Sequence, residues 1–317
     1  MQSIGNVWLW SGFAAVVVVA LLLDLVLMRH GGPHKVSFKE AVYWSLGWVG
    51  LALAFNAGLW WYLHVTVGAD FAQRVGLEFL TGYLIEKSLA VDNIFVFLML
   101  MSYFAVPEVQ RQRVLVMGVL GAIVLRALMI LAGSVLLTQF HWLLYLFGGF
   151  LLLTGVKMWF SAGKEPDLET NPALRWMRRH LRIAPQHEGN ALSVMRDGKR
   201  WFTPLFVVLV LIAVTDVIFA VDSIPAIFAI TTDPFIVLTS NVFAVLGLRA
   251  MFFLLAGMAE RFHLLPYGLA LILGFIGLKM LTMDLLKLPV LVSLGVVLAI
   301  LVVTMLLSLK LPPKQAH

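Results

Sequence analysis

Long apolar runs fill most of this chain, and each of them is long enough to cross a bilayer as a helix. A transmembrane helix needs about 20 apolar residues in succession. Only 13% of the residues are charged, whereas soluble domains carry about 25%. We therefore predict an all-α, polytopic membrane bundle of about nine transmembrane helices, in a single domain over residues 1–317. The predicted spans are residues 7–28, 42–63, 77–103, 114–138, 141–160, 203–230, 235–258, 265–284 and 289–309.

The basic residues predict how these spans are oriented. With the N-terminus outside, 16 of the 23 Lys and Arg residues lie in inward segments, two lie in outward segments and the rest lie within spans. Inward loops of membrane proteins carry an excess of Lys and Arg, so we expect the N-terminus outside and the C-terminus inside. The net charge of +6 then reflects this bias and a membrane-lipid partner, and we expect no nucleic-acid partner.

Two segments place paired carboxylates inside apolar sequence, and the segments resemble each other. The first is Glu86-Lys-Ser-Leu-Ala-Val-Asp92-Asn93 and the second is Asp216-Val-Ile-Phe-Ala-Val-Asp222-Ser223. In each, Ala-Val precedes the second acid. Ionised carboxylates in hydrocarbon are costly, so acids placed there usually face a bundle interior and serve a function.

The similarity between the two segments extends into an internal repeat. Leu125-Arg126-Ala127 matches Leu248-Arg249-Ala250, and Gly155-Val-Lys157-Met158 matches Gly277-Leu-Lys279-Met280. The copies are residues 77–160 and 203–284, with a cytoplasmic loop at residues 161–202 between them. Three helices in each copy mean that the copies cross the membrane in opposite senses, which is the inverted repeat of many transporters.

The polar groups of the two motifs form an all-oxygen ligand set. Pro225 has no N–H to donate to the carbonyl of Val221, which adds another oxygen beside the second motif. Carboxylate, amide and hydroxyl oxygens suit hard divalent ions such as manganese, magnesium or calcium. The predicted metal ligands are Glu86, Asp92, Asn93, Asp216, Asp222 and Ser223.

The opposite directions of the two motif helices predict which acids meet. We expect Glu86 to share a level with Asp222, and Asp92 to share a level with Asp216. One straight helix separates its own two acids by about 9 Å of rise and about 120° of rotation. A site formed across the two helices is therefore favoured over a site on either helix alone.

Three basic residues within the spans can balance these acids, namely Lys87, Arg126 and Arg249. If all three are close, four ionised carboxylates exceed them by one charge, which a divalent ion or protons can supply. The alternative is that the acids pair with these bases and only hold the bundle together. The loop at residues 161–202 also has two interpretations, a solvated linker or a segment with a short interfacial helix around Trp176.

These segments resemble the TerC family of integral membrane proteins, and most closely its Alx-like branch. The resemblance is carried by residues 79–93, 216–229, 232–241 and 246–251, and it covers nearly the whole chain. It implies a bacterial inner-membrane protein, linked to alkaline conditions and to manganese export. The family pattern has a Glu three residues before Asp216, where this chain has Ala213.

The sequence and the resemblance together predict a non-enzymatic transporter that exports manganese from the cytoplasm, with proton coupling, and has no tightly bound cofactor. One alternative is an accessory or sensor protein that binds metal without transporting it. Another is a membrane-bound redox modulator, a label that the Alx-like branch also carries. The chain has no cysteine, which excludes cysteine redox relays and disulfides.

Overall fold

The computed structural model describes residues 3–30, 37–140, 142–161, 171–186, 188–196, 198–256, 263–285 and 288–311. These ranges form eleven helices and one antiparallel β-hairpin. The elements are α1 (Val7–His30), α2 (Phe38–Thr66), α3 (Ala69–Tyr103), α4 (Glu108–Gln139), α5 (Leu143–Ser161), α6 (Pro172–His180), β1 (Ser193–Arg196), β2 (Lys199–Phe202), α7 (Pro204–Phe228), α8 (Pro234–Leu246), α9 (Leu248–Ala256), α10 (Leu265–Leu281) and α11 (Val290–Lys310).

The lengths and compositions of these helices confirm an all-α polytopic membrane protein. Within the described ranges, α1, α2, α4, α5, α7 and α11 are long and apolar enough to cross a membrane. A seventh span results if α8 and α9, which are bent by 41° at their junction, are counted together. The helix α10 is apolar but only 17 residues long, and α3 carries charged residues along its length. The number of nine spans stays a prediction.

Local capping explains where several of these helices begin. The hydroxyl of Ser37 accepts a hydrogen bond from the Glu40 backbone, and the Glu40 carboxylate accepts one from the Ser37 backbone. This reciprocal capping box starts α2. Thr203 caps α7 and Asp233 caps α8, and in both helices a proline follows the capping residue, at the position where its missing N–H costs nothing.

The centre of the bundle is formed by α3, α4, α7 and α8. The helix α3 packs on α8, and α4 packs on α7. Every residue of α8 from Phe235 to Leu246 is buried, so this helix is enclosed on all sides by protein. In contrast, α1, α2 and α11 expose half or more of their apolar side chains that are described, as expected of helices that face lipid.

The helices α5 and α10 pack closely at matching glycines. A Cβ atom at Gly155 would lie 2.8 Å from the carbonyl oxygen of Ala270, and a Cβ atom at Gly277 would lie 2.7 Å from the carbonyl oxygen of Gly148. No side chain fits at those distances, so the two backbones meet only because both positions are glycine. In the repeat alignment Gly155 matches Gly277 and Gly148 matches Ala270, which makes the two contacts equivalent.

The loop between the two copies is partly folded. The helix α6 begins after the N-cap Asn171, and it buries Leu174 and Met177 against the bundle. The hairpin of β1 and β2 follows, and the sequence did not indicate it. The described part of the loop is therefore more ordered than a solvated linker. It contains a short helix around Trp176, as the second interpretation of this loop predicted.

Contacts between chain segments show which helix ends lie together at each end of the bundle. At one end, the hydroxyl of Ser3 donates to the Asp233 carboxylate at 2.9 Å. At the other end, Arg178 of α6 donates to the hydroxyl of Tyr103 at 3.2 Å, and the side chain of Gln110 donates to the carbonyl of Gly189 at 2.7 Å. The second set includes the predicted cytoplasmic loop. Which end faces the cytoplasm stays a prediction.

We predict that Gly155→Ala lowers the free energy of unfolding by about 1–3 kcal/mol, because the added methyl group overpacks the α5–α10 contact. Gly149→Ala is the matched control, since a Cβ atom there meets nothing within 4 Å. Thermal unfolding of the purified protein in detergent measures both. Equal melting temperatures for the two variants would contradict the close packing.

Candidate functional site

The side chain of Arg126 joins the two repeated acidic motifs. Its Nη2 donates to Oδ1 of Asp216 at 2.8 Å, and its Nε lies 3.3 and 3.2 Å from the two oxygens of the same carboxylate. Its Nη1 donates to Oε1 of Glu86. Arg126 and Glu86 are fully buried, and Asp216 is 1% exposed. One guanidinium from α4 thus binds a carboxylate of α3 and the equivalent carboxylate of α7.

Because Glu86, Arg126 and Asp216 are buried, each of these charges depends on the others for its stability. Removing a buried ion from water costs several kcal/mol, and only close partners and well-formed hydrogen bonds offset that cost. The planar fork of Arg126 provides such bonds to Asp216 on two sides. The remaining Nη1 is shared, because it also lies 3.5 Å from Oδ1 of Asn241 on α8. Glu86 is therefore held by fewer contacts than Asp216.

A cavity of 220 Å³ lies beside this cluster and reaches both motifs. Glu86 and Asn93 of α3 line it together with Asp222 and Ser223 of α7. Glu86, Asn93 and Ser223 are buried, whereas Ser161, which also lines the cavity, is exposed at the end of α5. The cavity therefore extends from an exposed rim to buried oxygen atoms.

Several buried polar atoms at this cavity have no hydrogen-bond partner among the described residues. They are Oε2 of Glu86, Oδ1 of Asn93 and Oγ of Ser223. Buried polar groups in native proteins are nearly always satisfied, so each exception needs an explanation. The three oxygens line one cavity, and a cation or water bound there would satisfy them together.

Four of the six predicted ligands line the cavity, and Asp216 is bound to Arg126, which also lines it. The side chain of Asp92 lies outside the described part of the structure. Among the side chains that are described, no group of three or more His, Cys, Asp and Glu residues is arranged to hold a metal ion. An ion here would need the amide of Asn93 and the hydroxyl of Ser223 as well as carboxylates.

The observed pairing of the acids differs from the pairing that the opposite directions of the two motif helices predicted. Glu86 meets Asp216 through Arg126, whereas we expected it to share a level with Asp222. Both Glu86 and Asp222 do line the same cavity. The reason is the length of the Arg126 side chain, which comes from a third helix and bridges the two equivalent acids.

Two of the three predicted counter-charges lie elsewhere. Arg249 forms an ion pair with Asp24 of α1, and Lys87 donates from Nζ to the backbone carbonyl of Ala244 at 3.4 Å. Neither lines the cavity. Arg126 is thus the one member of this set that binds the repeated acids in the described part of the chain.

Sequence reasoning missed the contribution of α5 to the site. The hydroxyl of Thr154 donates to Oδ1 of Asp222 at 3.3 Å, and Lys157 lines the cavity beside them. Lys157 lies in the repeated Gly-x-Lys-Met motif, so the repeat was a signal for it. Nothing in the sequence pointed to Thr154.

A second, larger cavity of 780 Å³ lies towards the opposite end of the bundle. Charged side chains of both signs line it, namely Arg74, Glu78, Asp233 and Lys279. Its lining includes none of the residues of the repeated acidic motifs. Glu78 lies eight residues before Glu86 on α3, which corresponds to about 12 Å of rise.

The fold and the buried ionic site define a polytopic α-helical membrane protein. The chain belongs to the integral membrane protein TerC family, whose profile matches residues 71–316, and this confirms the resemblance. Proteins named "Putative membrane-bound redox modulator Alx" from Salmonella typhi and Escherichia coli K12 are each 57% identical over 97% of this chain and 96% of their own length. An uncharacterized membrane protein of Myxococcus xanthus is 48% identical over 97% of this chain and 93% of its own length. No solved structure has a significant match.

We predict that Arg126→Met destabilises the protein by about 3–5 kcal/mol, because it leaves two carboxylates buried without their partner. Adding Glu86→Gln and Asp216→Asn restores most of the loss, since no unpaired charge remains. Arg74→Met is the control: its side chain is 61% exposed and lies 3.8 Å from Glu78, so the loss is about 1 kcal/mol or less. Equal losses for Arg126→Met and Arg74→Met, read from thermal unfolding in detergent, would contradict the interdependence of the cluster.

Proposed function

We propose that this protein transports a divalent metal ion, manganese by preference, through the cavity between the two acidic motifs. The observation that carries the proposal is the set of buried, unpartnered oxygens of Glu86, Asn93 and Ser223 on one cavity. Oxygen ligands of this kind suit manganese, magnesium and calcium better than softer ions. The resemblance to the Alx-like branch favours manganese among them.

The charges at the site support a divalent substrate. Glu86, Asp216 and Asp222 face two cations, Arg126 and Lys157, which leaves a net charge of −1 if all are ionised. Asp92, one position before the cavity-lining Asn93, brings the net charge to −2 if it also faces the site. One divalent ion balances that charge, and two protons balance it equally, so exchange of metal for protons is electrically neutral.

The proposed architecture is a nine-span bundle built on an inverted repeat. Its support is the equivalent glycine contacts of α5 and α10, together with the packing of α3 on α8 and of α4 on α7, which the repeat makes equivalent. In this proposal α3 and α10 also cross the membrane, and α8 with α9 forms one broken span. Ion sites at the interface of inverted repeats are typical of secondary transporters.

The proposed direction is export from the cytoplasm across a bacterial inner membrane. The cavity that reaches Glu86 has its exposed rim at Ser161, next to the loop that the basic residues place in the cytoplasm. The larger cavity at the other end does not reach the acidic motifs. In this proposal the transporter is open to the cytoplasm, with a periplasmic N-terminus and a cytoplasmic C-terminus.

A second candidate function is that of the redox modulator named for the relatives. Nothing in the described residues favours it over transport, and the chain has no cysteine. An accessory or sensor protein that binds the metal without moving it would use the same site. Flux separates that alternative from transport, and an absorbing cofactor or quinone in the purified protein would favour the redox function.

We predict that Asp222→Asn lowers manganese flux into proteoliposomes at least about tenfold under an imposed pH gradient. The substitution removes a carboxylate from the cavity and with it about one unit of the charge that binds the ion. Asp70→Asn is the control, because this acid is exposed in the first turn of α3, and its flux should equal that of the wild type.

The same assay decides among the alternatives. Unchanged flux in Asp222→Asn would contradict the proposed site. Manganese binding that depends on Asp222, without flux in the wild type, would favour the accessory or sensor protein. Neither flux nor binding would leave the acidic motifs as structural ion pairs.

A further inference from the structure

Arg126 holds its two carboxylates unequally. Three contacts of 2.8–3.3 Å join it to Asp216, but only Nη1 reaches Glu86. The other oxygen of Glu86, Oε2, has no partner among the described residues, and Glu86 lines the cavity. One oxygen of Glu86 is therefore bound by the guanidinium, while the other has no partner at the cavity.

We propose that Arg126 is a tethered cation that competes with the transported divalent ion for Glu86. This inference rests on the proposed function. When the ion binds Glu86, the Glu86 carboxylate leaves Nη1 while Nε and Nη2 of Arg126 remain on Asp216. The planar guanidinium stays in place, and the buried charge of Asp216 stays paired throughout.

Asn241 is the positioning residue that accepts a hydrogen bond from Nη1 once Glu86 has turned to the ion. Its Oδ1 already lies 3.5 Å from Nη1, at the edge of hydrogen-bond distance, and its Nδ2 has no partner among the described residues. The surrounding helix α8 is buried along its length. Without this acceptor, Nη1 would be left unsatisfied in a buried place, which is costly for a charged donor.

The competition sets the affinity of the site. The carboxylates of Glu86 and Asp222 in one buried cavity attract a divalent ion strongly, and an ion held too tightly is not released. Glu86 turns back to the fixed Arg126 cation as the ion leaves, so the carboxylate is never left without a partner. Arg126 thereby weakens binding and favours release, which a transport site requires.

Arg249 provides the matched comparison within the same chain. It is the equivalent of Arg126 in the second copy of the repeat, but it pairs with Asp24 and does not line the cavity of 220 Å³. Removing Arg249 and Asp24 together therefore deletes the same chemical groups as removing Arg126 and Asp216 together. Only the second deletion takes the competitor away from Glu86.

The test is manganese binding to the purified full-length protein, measured by electron paramagnetic resonance of free Mn²⁺ at pH 8.5, where protons compete little for carboxylates. We expect Arg126→Met with Asp216→Asn to lower Kd at least about tenfold, although the net charge is unchanged; tenfold corresponds to about 1.4 kcal/mol. Arg249→Met with Asp24→Asn should change Kd less than about twofold. Size-exclusion chromatography and thermal unfolding verify that each variant is folded.

Asn241→Leu, which keeps the branched shape of the side chain but removes its hydrogen-bonding groups, supplies a second measurement. It should raise Kd at least about threefold in the wild type and leave Kd unchanged in the variant that lacks Arg126 and Asp216, because a double-mutant cycle reports only coupled residues. An unchanged or raised Kd on removal of Arg126 and Asp216 would overturn the competition. An Asn241 effect of the same size in both backgrounds would overturn the role of Asn241. Absence of manganese binding in the wild type would instead refute the proposed function.

Discussion

The contact of Arg126 with Glu86 and Asp216 is the constraint on which the rest of the bundle depends. These groups are fully buried or nearly so, and each comes from a different helix. Since a buried charge without a partner is strongly destabilising, α3, α4 and α7 have to meet at one point. The cavity, the buried oxygen atoms that line it and the enclosed helix α8 are all arranged around that meeting point.

The sequence predicted the composition of the site better than its pairings. Repetition of the acidic motif indicated that Glu86, Asn93, Asp222 and Ser223 belong together, because ionisable groups in apolar helices face a shared interior. Pairing depends on which side chain is long enough to reach which acid, and a one-dimensional pattern holds no such information. Arg126 therefore bridges acids that the helix directions alone placed at different levels.

The same limit applies to the fold. Runs of apolar residues predicted the helices, and the bounds of α5 and α7 agree with the predicted spans to within about three residues. The break between α8 and α9 was not predicted, because hydropathy continues through it. The helix α6 was only one of two interpretations, since its stability comes from burying Leu174 and Met177, a tertiary contact that its sequence does not specify.

The ion pair of Asp24 with Arg249 also bears on how the protein is made. Its partners are 225 residues apart, whereas Glu86 and Arg126 are separated by only 40. At about 5–20 residues per second of synthesis, Asp24 leaves the ribosome roughly 10–45 s before Arg249 exists. The first helix must therefore either enter the membrane with its acid unneutralised or wait at the translocon until Arg249 has been made.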